Sequence, residues 1–241
     1  MIVRAEIRKL RTTRTVWILL AVAQALVLAG LAGVMINSDD LDDVETQQAA
    51  MAHVGLVALF ALVLGIMAVA GEYRHRTITD TYLTTPHRAR VVYAKLAVYT
   101  VAGALFGVAA AVTALASAAV WLTAEDATLQ LSSAGLWQTI TGGILWNAAF
   151  AAIGVGVGAL ITNLMGAIAA ALAWIAVIEG VVAKLVGDVR DWLPFALGSA
   201  LDALPTAVDG PPPWLAGVAL AGYAAAFTIA ATVTTLRRDV T

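Results

Sequence analysis

The chain has 241 residues, of which 61% are apolar and 12% charged, and its formal net charge is −2. Its mean hydropathy is +0.88. A soluble domain of this length could not bury so much apolar surface, so we expect lipid to surround most of the chain. The absence of cysteine from the sequence excludes a disulfide framework and thiol chemistry.

The N-terminal segment predicts a helix that lies in the membrane interface, followed by the first membrane span. Apolar residues recur there at helical spacing beside a stripe of arginines. The apolar residues are Val3, Ile7 and Leu10, and the arginines are Arg4, Arg8 and Arg11. Residues 16–36 then form a nearly unbroken apolar run, about 31 Å long as a helix, which is enough to cross a bilayer. Because this run exceeds the core of a signal peptide and no A-x-A site follows it, we expect a retained span.

A polar segment, residues 71–95, separates the second apolar run from the third. It contains five of the chain's 14 lysines and arginines, namely Arg74, Arg76, Arg88, Arg90 and Lys95. Thr77 is a suitable N-cap, and Asp80, three residues later, can complete a pattern similar to a capping box. Pro86 prevents a helix from continuing past Thr85. The segment therefore predicts a short amphipathic helix between spans two and three.

Five further spans are expected at residues 52–70, 91–122, 136–161, 165–186 and 214–236. The connection between the last two, residues 187–213, contains the sequence D-W-L-P-F-A-L-G-S-A-L-D-A-L-P. It is too apolar for an ordinary loop and too short and interrupted for a span. We therefore expect one or two short helices at the outer membrane surface. The predicted fold is an all-α polytopic membrane protein in which residues 1–241 form a single transmembrane domain.

Charged residues are distributed unevenly between the two ends of the expected spans. Twelve lysines and arginines fall before span one, within residues 71–95 or after span six, whereas only Lys184 and Arg190 fall at the other end. The loop at residues 37–50 carries five acidic residues and no basic residue. The positive-inside rule therefore places both termini and the polar segment in the cytoplasm.

Motifs that would indicate an enzyme are absent from the sequence. It has no H-E-x-x-H, no G-x-S-x-G, no cysteine–histidine cluster and no G-x-x-x-x-G-K-[ST] phosphate loop. The three histidines are far apart in the sequence, so we expect no metal site. Gly154 and Gly158 lie inside an apolar run with no preceding strand, which favours close helix packing over dinucleotide binding.

Three residues within the spans are candidates for a functional cavity. Glu179 lies about 21 Å along the fifth span, and carboxylates inside a membrane are functional candidates. The alternative is that it lies near the outer interface, where water or Lys184 can reach it. Trp146 and Trp174 fall near the middle of their spans, where they can line a cavity for an apolar substrate or pack between helices.

The order of motifs in the polar segment resembles that of the membrane-spanning subunits of type-2 ATP-binding-cassette (ABC) exporters. In those proteins span two ends in Glu, a Thr-rich coupling helix follows, and Leu-x-x-Pro, a basic pair and a lysine lead into span three. The corresponding residues here are Glu72, Thr77, L-T-T-P from Leu83 to Pro86, Arg88, Arg90 and Lys95. The six spans, the N-terminal helix, the W-L-P-F-A-L-G-S-A-L connection and the terminal R-R-D-V extend the resemblance over essentially the whole chain. One departure is Arg76, where many relatives have glycine.

The resemblance implies a transport subunit rather than an enzyme. A separate ABC ATP-binding subunit would dock on residues 72–86 and bind ATP and magnesium, so this chain would need no cofactor of its own. The docking residues implied are Glu72, Arg74, Arg76, Thr77, Thr79, Asp80, Tyr82, Leu83 and Pro86. Two permease subunits, identical or different, would face each other with spans two and five along the translocation path. Candidates for that path are Phe60, Trp146, Trp174 and Glu179.

These features lead us to expect a bacterial cell membrane protein with lipid and protein partners and no nucleic-acid partner. Two alternatives are a polytopic membrane enzyme and a secondary transporter. The enzyme would need clustered catalytic groups near one interface, whereas the sequence has only scattered ones. The secondary transporter would favour inverted repeats and interrupted spans, and no convincing repeat is visible. A neighbouring reading frame for an ATP-binding-cassette protein would favour the exporter.

Overall fold

The computed structural model describes residues 2–78, 88–202 and 210–234, and these residues form helices and turns with no strand among them. Helix α1 is Ile2–Thr12, α2 is Arg14–Asn37, α3 is Val44–Met51, α4 is His53–Leu56 and α5 is Ala58–Arg74. Helix α6 is Arg88–Ala124, α7 is Ala134–Leu160 and α8 is Leu164–Leu185, in which Trp174–Glu179 is π-helical. A 3₁₀ helix, Gly187–Trp192, and helix α9, Pro194–Leu201, precede α10, Pro213–Val233.

Six helical segments of the described chain are long and apolar enough to cross a membrane, which confirms the predicted number of spans. They are Arg14–Asn37, Val44–Arg74, Ala89–Ala124, Ala134–Leu160, Leu164–Leu185 and Pro213–Val233. The helix predicted before span one is present as α1, and two short helices lie in the connection between the last two spans. The helix predicted between spans two and three falls largely on residues 79–87, which lie outside the described residues.

The acidic stretch before span two contains helix α3, which the apolar pattern did not predict. Asp43 caps this helix by accepting the Thr46 N–H at 2.9 Å, and this bond lowers the pKa of the Asp43 carboxyl. Helices α3, α4 and α5 then follow one another with single-residue turns at Ala52 and Val57. Span two is therefore a helix with two interruptions, rather than one continuous run.

Helix α7 is the central element, because α5, α6 and α10 all pack against it. In its most apolar stretch 72% of the residues are buried inside the chain, compared with 11% in α8. Glycines bring α5 and α7 close together. A Cβ on Gly154 would lie 2.2 Å from the Leu62 carbonyl oxygen, and one on Gly158 would lie 2.6 Å from that of Ile66. These distances confirm the predicted packing role of the two glycines.

The loops that follow spans one and three lie side by side and are joined by Gln47. Its Nε2 donates to the carbonyl oxygens of Leu41 and Thr128 at 2.8 and 2.9 Å, and its Oε1 accepts the Gln130 N–H at 2.9 Å. Asp42 accepts from the N–H and the hydroxyl of Thr128 at 2.9 and 3.0 Å. These bonds fix the end of the bundle opposite to α1.

Candidate coupling site

Helix α5 ends in a tight turn at the beginning of the coupling segment, residues 72–86. The Thr77 N–H donates to the Glu72 carbonyl oxygen at 3.0 Å, and the Arg76 N–H donates to that of Tyr73 at 3.2 Å. This pair of bonds is a Schellman motif, in which the residue after the C-cap is usually glycine. Arg76 occupies that position with a φ of 56°, so the turn is kept although the glycine of many relatives is absent.

Four charged side chains, Glu6, Lys9, Glu72 and Lys95, form a cluster next to this turn that we call the charge cluster. The Lys95 Nζ lies 3.0 Å from Glu6 Oε2 and 2.8 Å from Glu72 Oε1. Lys9 pairs with Glu6 at 2.9 Å and also with Glu72. The side chains of Lys95, Glu6 and Glu72 are 1%, 2% and 8% exposed. The Lys9 side chain is 44% exposed, so two anions and one cation are buried and the second cation reaches them from the edge of the cluster.

The buried Lys95 ammonium has the acceptors that its burial requires. Besides its acidic partners, the Lys95 Nζ donates to the Ala68 carbonyl oxygen at 2.9 Å. Such partners are needed because removing a charge from water without them is strongly unfavourable. Burial lowers the pKa of Lys9, but hydrogen bonds with Glu72 and Glu6 outweigh this effect and raise the pKa overall. Lys9 therefore remains an ammonium ion at neutral pH.

The charge cluster joins three helices that are separated in the sequence. Glu6 and Lys9 come from α1, Glu72 from the last turn of α5 and Lys95 from the N-terminal part of α6. The coupling segment leaves α5 and leads into α6, so the helices on both sides of it are tied to α1. Sequence reasoning selected Glu72 and Lys95 and missed Glu6 and Lys9. The available signal was that Glu6 is the only acidic residue in the basic stretch before span one.

The other residues implied in docking fall into two groups. Arg74 and Arg76 are exposed at the end of α5, and the Arg74 Nη1 lies 3.7 Å from the Met165 sulfur at the start of α8. The remaining residues lie outside the described part of the chain, and they are Thr79, Asp80, Tyr82, Leu83 and Pro86.

A cavity of about 350 Å³ lies beside the charge cluster. It is bounded by α1, α2, α5, α6 and the start of α8, and its lining includes Lys9, Glu72, His75, Thr77 and Tyr99. The cavity adjoins the turn around Arg76, within the first residues of the coupling segment. The polar groups of the cluster therefore border a space at the same end of the bundle as this segment.

At the other end of α8, Glu179 binds the N-terminus of α9. Its two carboxylate oxygens accept the Phe195 N–H at 3.0 and 3.2 Å. Leu193, the N-cap residue, has no side-chain acceptor, and Pro194 occupies the first helical position. Glu179 thus supplies the cap from another helix, and its negative charge suits the positive end of the helix dipole. This partner was not visible in the sequence pattern.

Trp146, one of the candidates for the translocation path, packs against the same short helix. It is 1% exposed, and its ring lies edge-to-face with Phe150 and Phe195 at centroid distances of 5.7 and 5.1 Å. A Cβ on Gly198 would lie 2.0 Å from the Trp146 ring, so α9 approaches α7 closely. Glu179 and Trp146 are therefore brought together around α9.

The two remaining path candidates are placed differently. Trp174 is 43% exposed and begins the π-helical turn that ends at Glu179. Phe60 is partly buried and packs against a core to which α2, α5, α6 and α7 all contribute. Of the four residues predicted to line the translocation path, Glu179 and Trp146 therefore lie together around α9, whereas Phe60 lies in a different part of the core.

Removal of the Glu179 carboxylate should loosen α9. In Glu179→Ala the Phe195 N–H loses its acceptor, and loss of a helix cap costs about 1 kcal/mol. We therefore expect the first amides of α9 to exchange with solvent about fivefold faster, measured by hydrogen-exchange mass spectrometry. Glu179→Gln keeps one acceptor oxygen and should give a smaller increase.

Glu125→Ala is the matched control, because Glu125 is an exposed glutamate at the end of α6. It should leave the exchange of α9 at the wild-type rate. Wild-type exchange in Glu179→Ala would show that α9 does not depend on this carboxylate.

Comparison with known protein families identifies the chain as a transport protein. The model of a family described as "ABC-2 family transporter protein" matches residues 2–180 of the 241. The matched region includes α1, the coupling segment and four complete spans. None of the curated proteins compared with the chain matches it. With its six apolar spans the chain is a multi-pass membrane protein, and it belongs to the ABC-2 family of transporter permeases.

Proposed function

We propose that this permease is the membrane-spanning subunit of an exporter in a bacterial cell membrane and that it works as a dimer of identical or different subunits. A separate ATP-binding subunit docks on residues 72–86, binds ATP and magnesium, and drives the spans by hydrolysis. The observation that carries this proposal is the charge cluster, which ties to α1 the two helices that flank the docking segment, α5 and α6. The sequence has no phosphate loop of its own, which agrees with hydrolysis in a partner.

Force applied to the coupling segment reaches three helices through the charge cluster. Separating α5 from α6 would leave Lys95 or Glu72 buried without its partner, which costs about 3–5 kcal/mol. The two helix ends therefore move together, and α1 moves with them. Helix α5 packs closely along α7 at Gly154, so the displacement extends to the centre of the bundle.

The translocation path of the proposed dimer lies between spans two and five of the two subunits. The low burial of α8, 11% in its apolar stretch, leaves this helix free to face lipid or a second subunit. Trp174 lies on α8 and is the first candidate to contact the transported compound. Glu179 holds α9 at the end of the same helix and thereby shapes the exit of the path.

The proposed orientation places both termini and the coupling segment in the cytoplasm, as the positive-inside rule favours. The chain has no natural cysteine, so single cysteines report cleanly on accessibility. In intact cells, Asp39→Cys should react with an impermeant thiol reagent, and His75→Cys should not. Asp39 is preferred to Asp42, because Asp42 holds Thr128. Labelling of His75→Cys from outside would contradict this orientation.

Docking of the ATP-binding subunit is tested with Tyr82 and Asp80. An aromatic anchor of a small interface contributes about 1–3 kcal/mol, so Tyr82→Ala should weaken partner binding by about fivefold to 150-fold. Asp80→Ala should weaken it through loss of a polar contact. The partner that copurifies from native membranes is reconstituted with each variant in lipid vesicles. Its affinity and its substrate-stimulated ATPase activity are then measured.

Tyr93→Ala is the matched control, because Tyr93 is a tyrosine of span three that is 53% exposed. It should insert normally and bind the partner with wild-type affinity. Wild-type affinity and wild-type ATPase stimulation in both Tyr82→Ala and Asp80→Ala would show that the coupling contact lies outside residues 72–86.

A further inference from the structure

Helix α1 has two faces with different partners. Glu6 and Lys9 point into the charge cluster. On the opposite face lie three exposed arginines, Arg4, Arg8 and Arg11. Their spacing of i, i+4 and i+7 places them side by side on the helix. Within the described residues none of these three guanidinium groups forms an ion pair, so three like charges stand side by side without a protein counter-charge.

The position of α1 in the chain keeps this arginine face close to the membrane. Only Thr13 separates α1 from α2, the first span, which begins at Arg14. Trp17, 57% exposed, donates its indole N–H to the Arg11 carbonyl oxygen at 3.2 Å and so links the end of α1 to the first turn of that span. Tryptophan is typical of the boundary between lipid and water. The arginines therefore lie at the depth of the headgroups.

Apolar side chains flank the arginines on one side of α1. Val3 and Ile7 are 48% and 46% exposed, and in the wheel of the helix they lie between the arginine face and the partly buried Leu10. An open cavity of about 430 Å³ is lined by Arg4, Ile7, Arg8, Arg11 and Thr12. Apolar groups that can enter lipid therefore stand next to cations that can bind phosphate.

We propose that the arginine face of α1 binds the headgroups of anionic phospholipids. Guanidinium groups bind phosphate oxygens in a bidentate manner, and an anionic headgroup supplies the counter-charge that the protein lacks here. Val3 and Ile7 enter the acyl region beside the bound headgroup. A protein partner would leave these two side chains facing a polar surface at membrane depth, which makes lipid the better occupant. Because the other face of α1 holds Glu72 and Lys95, bound lipid stabilises the docking of α1 on the ends of α5 and α6.

The experiment measures the thermal stability of the purified full chain in detergent during titration with phosphatidylglycerol or phosphatidylcholine. Wild type should be stabilised by phosphatidylglycerol and much less by phosphatidylcholine. The triple variant Arg4→Gln, Arg8→Gln, Arg11→Gln should need at least about tenfold more phosphatidylglycerol, since each arginine near an anionic surface contributes about fivefold. The matched triple variant with lysine at the same positions keeps the charge but not the bidentate bonds, so its response should lie between those of the wild type and the glutamine variant. Added salt should weaken the effect of the lipid in the wild type.

Three results would overturn the proposal. One is an equal response of wild type and the triple glutamine variant to phosphatidylglycerol. The second is equal stabilisation of the wild type by phosphatidylcholine, which would show that acyl chains alone suffice. The third is full stabilisation by inorganic phosphate without lipid. The assay uses no ATP-binding subunit, so its outcome is independent of the docking proposed for residues 72–86.

Discussion

The Lys95 ammonium, held between Glu6 and Glu72 with 1% of its side chain exposed, is the interaction on which the contact of α1 with α5 and α6 depends. When one member of a buried ion pair is removed, the charge of the other is left uncompensated away from water. This state is strongly unfavourable. The pairing therefore makes the contact between α1, α5 and α6 nearly all-or-none. The coupling segment, which connects α5 to α6, therefore lies between two helices that are fixed to each other and to α1.

Packed helices connect the charge cluster to the other end of the bundle. Close packing at Gly154 joins α5 to the buried α7, and α7 carries Trp146 against α9. There Glu179 caps α9 from the far end of α8. Displacement of the coupling segment can therefore reach α9 along packed helices. The family assignment makes the protein a membrane subunit of an ABC transporter. In the mechanism that we propose, these packed helices transmit the movement of the docked partner.

The sequence was sufficient to predict the six spans, because long apolar runs are set by the thickness of the bilayer and need no knowledge of neighbours. The packing of Gly154 and Gly158 was also predictable, since small residues inside apolar helices favour close contact. The partners of Glu72 and Glu179 were not predictable. Ion pairs and caps between distant helices leave no periodic signal in the sequence. Glu6 is a single acidic residue in a basic stretch, and the charge pattern of that stretch is set by its arginines.

Local backbone effects account for the other differences between prediction and structure. Helix α3 forms in an acidic stretch because Asp43 caps it, which hydropathy does not detect. Arg76 adopts the left-handed conformation that glycine prefers because two backbone bonds close the turn around it. In both cases hydrogen bonds between residues close in sequence determined the local structure, although hydropathy and residue type did not predict it.

A double-mutant cycle on Glu6 and Lys95 tests most directly whether the charge cluster joins α1 to α6. The free energy of unfolding is measured in detergent for Glu6→Gln, Lys95→Met and the double variant, with the exposed lysine variant Lys184→Met as control. Each single change should destabilise the protein by about 3–5 kcal/mol, because it leaves the buried cluster with one uncompensated charge. The double variant should lose at least about 1 kcal/mol less than the sum of the two, and Lys184→Met should change little. Strictly additive losses, or a loss for Lys95→Met no larger than that for Lys184→Met, would contradict this account.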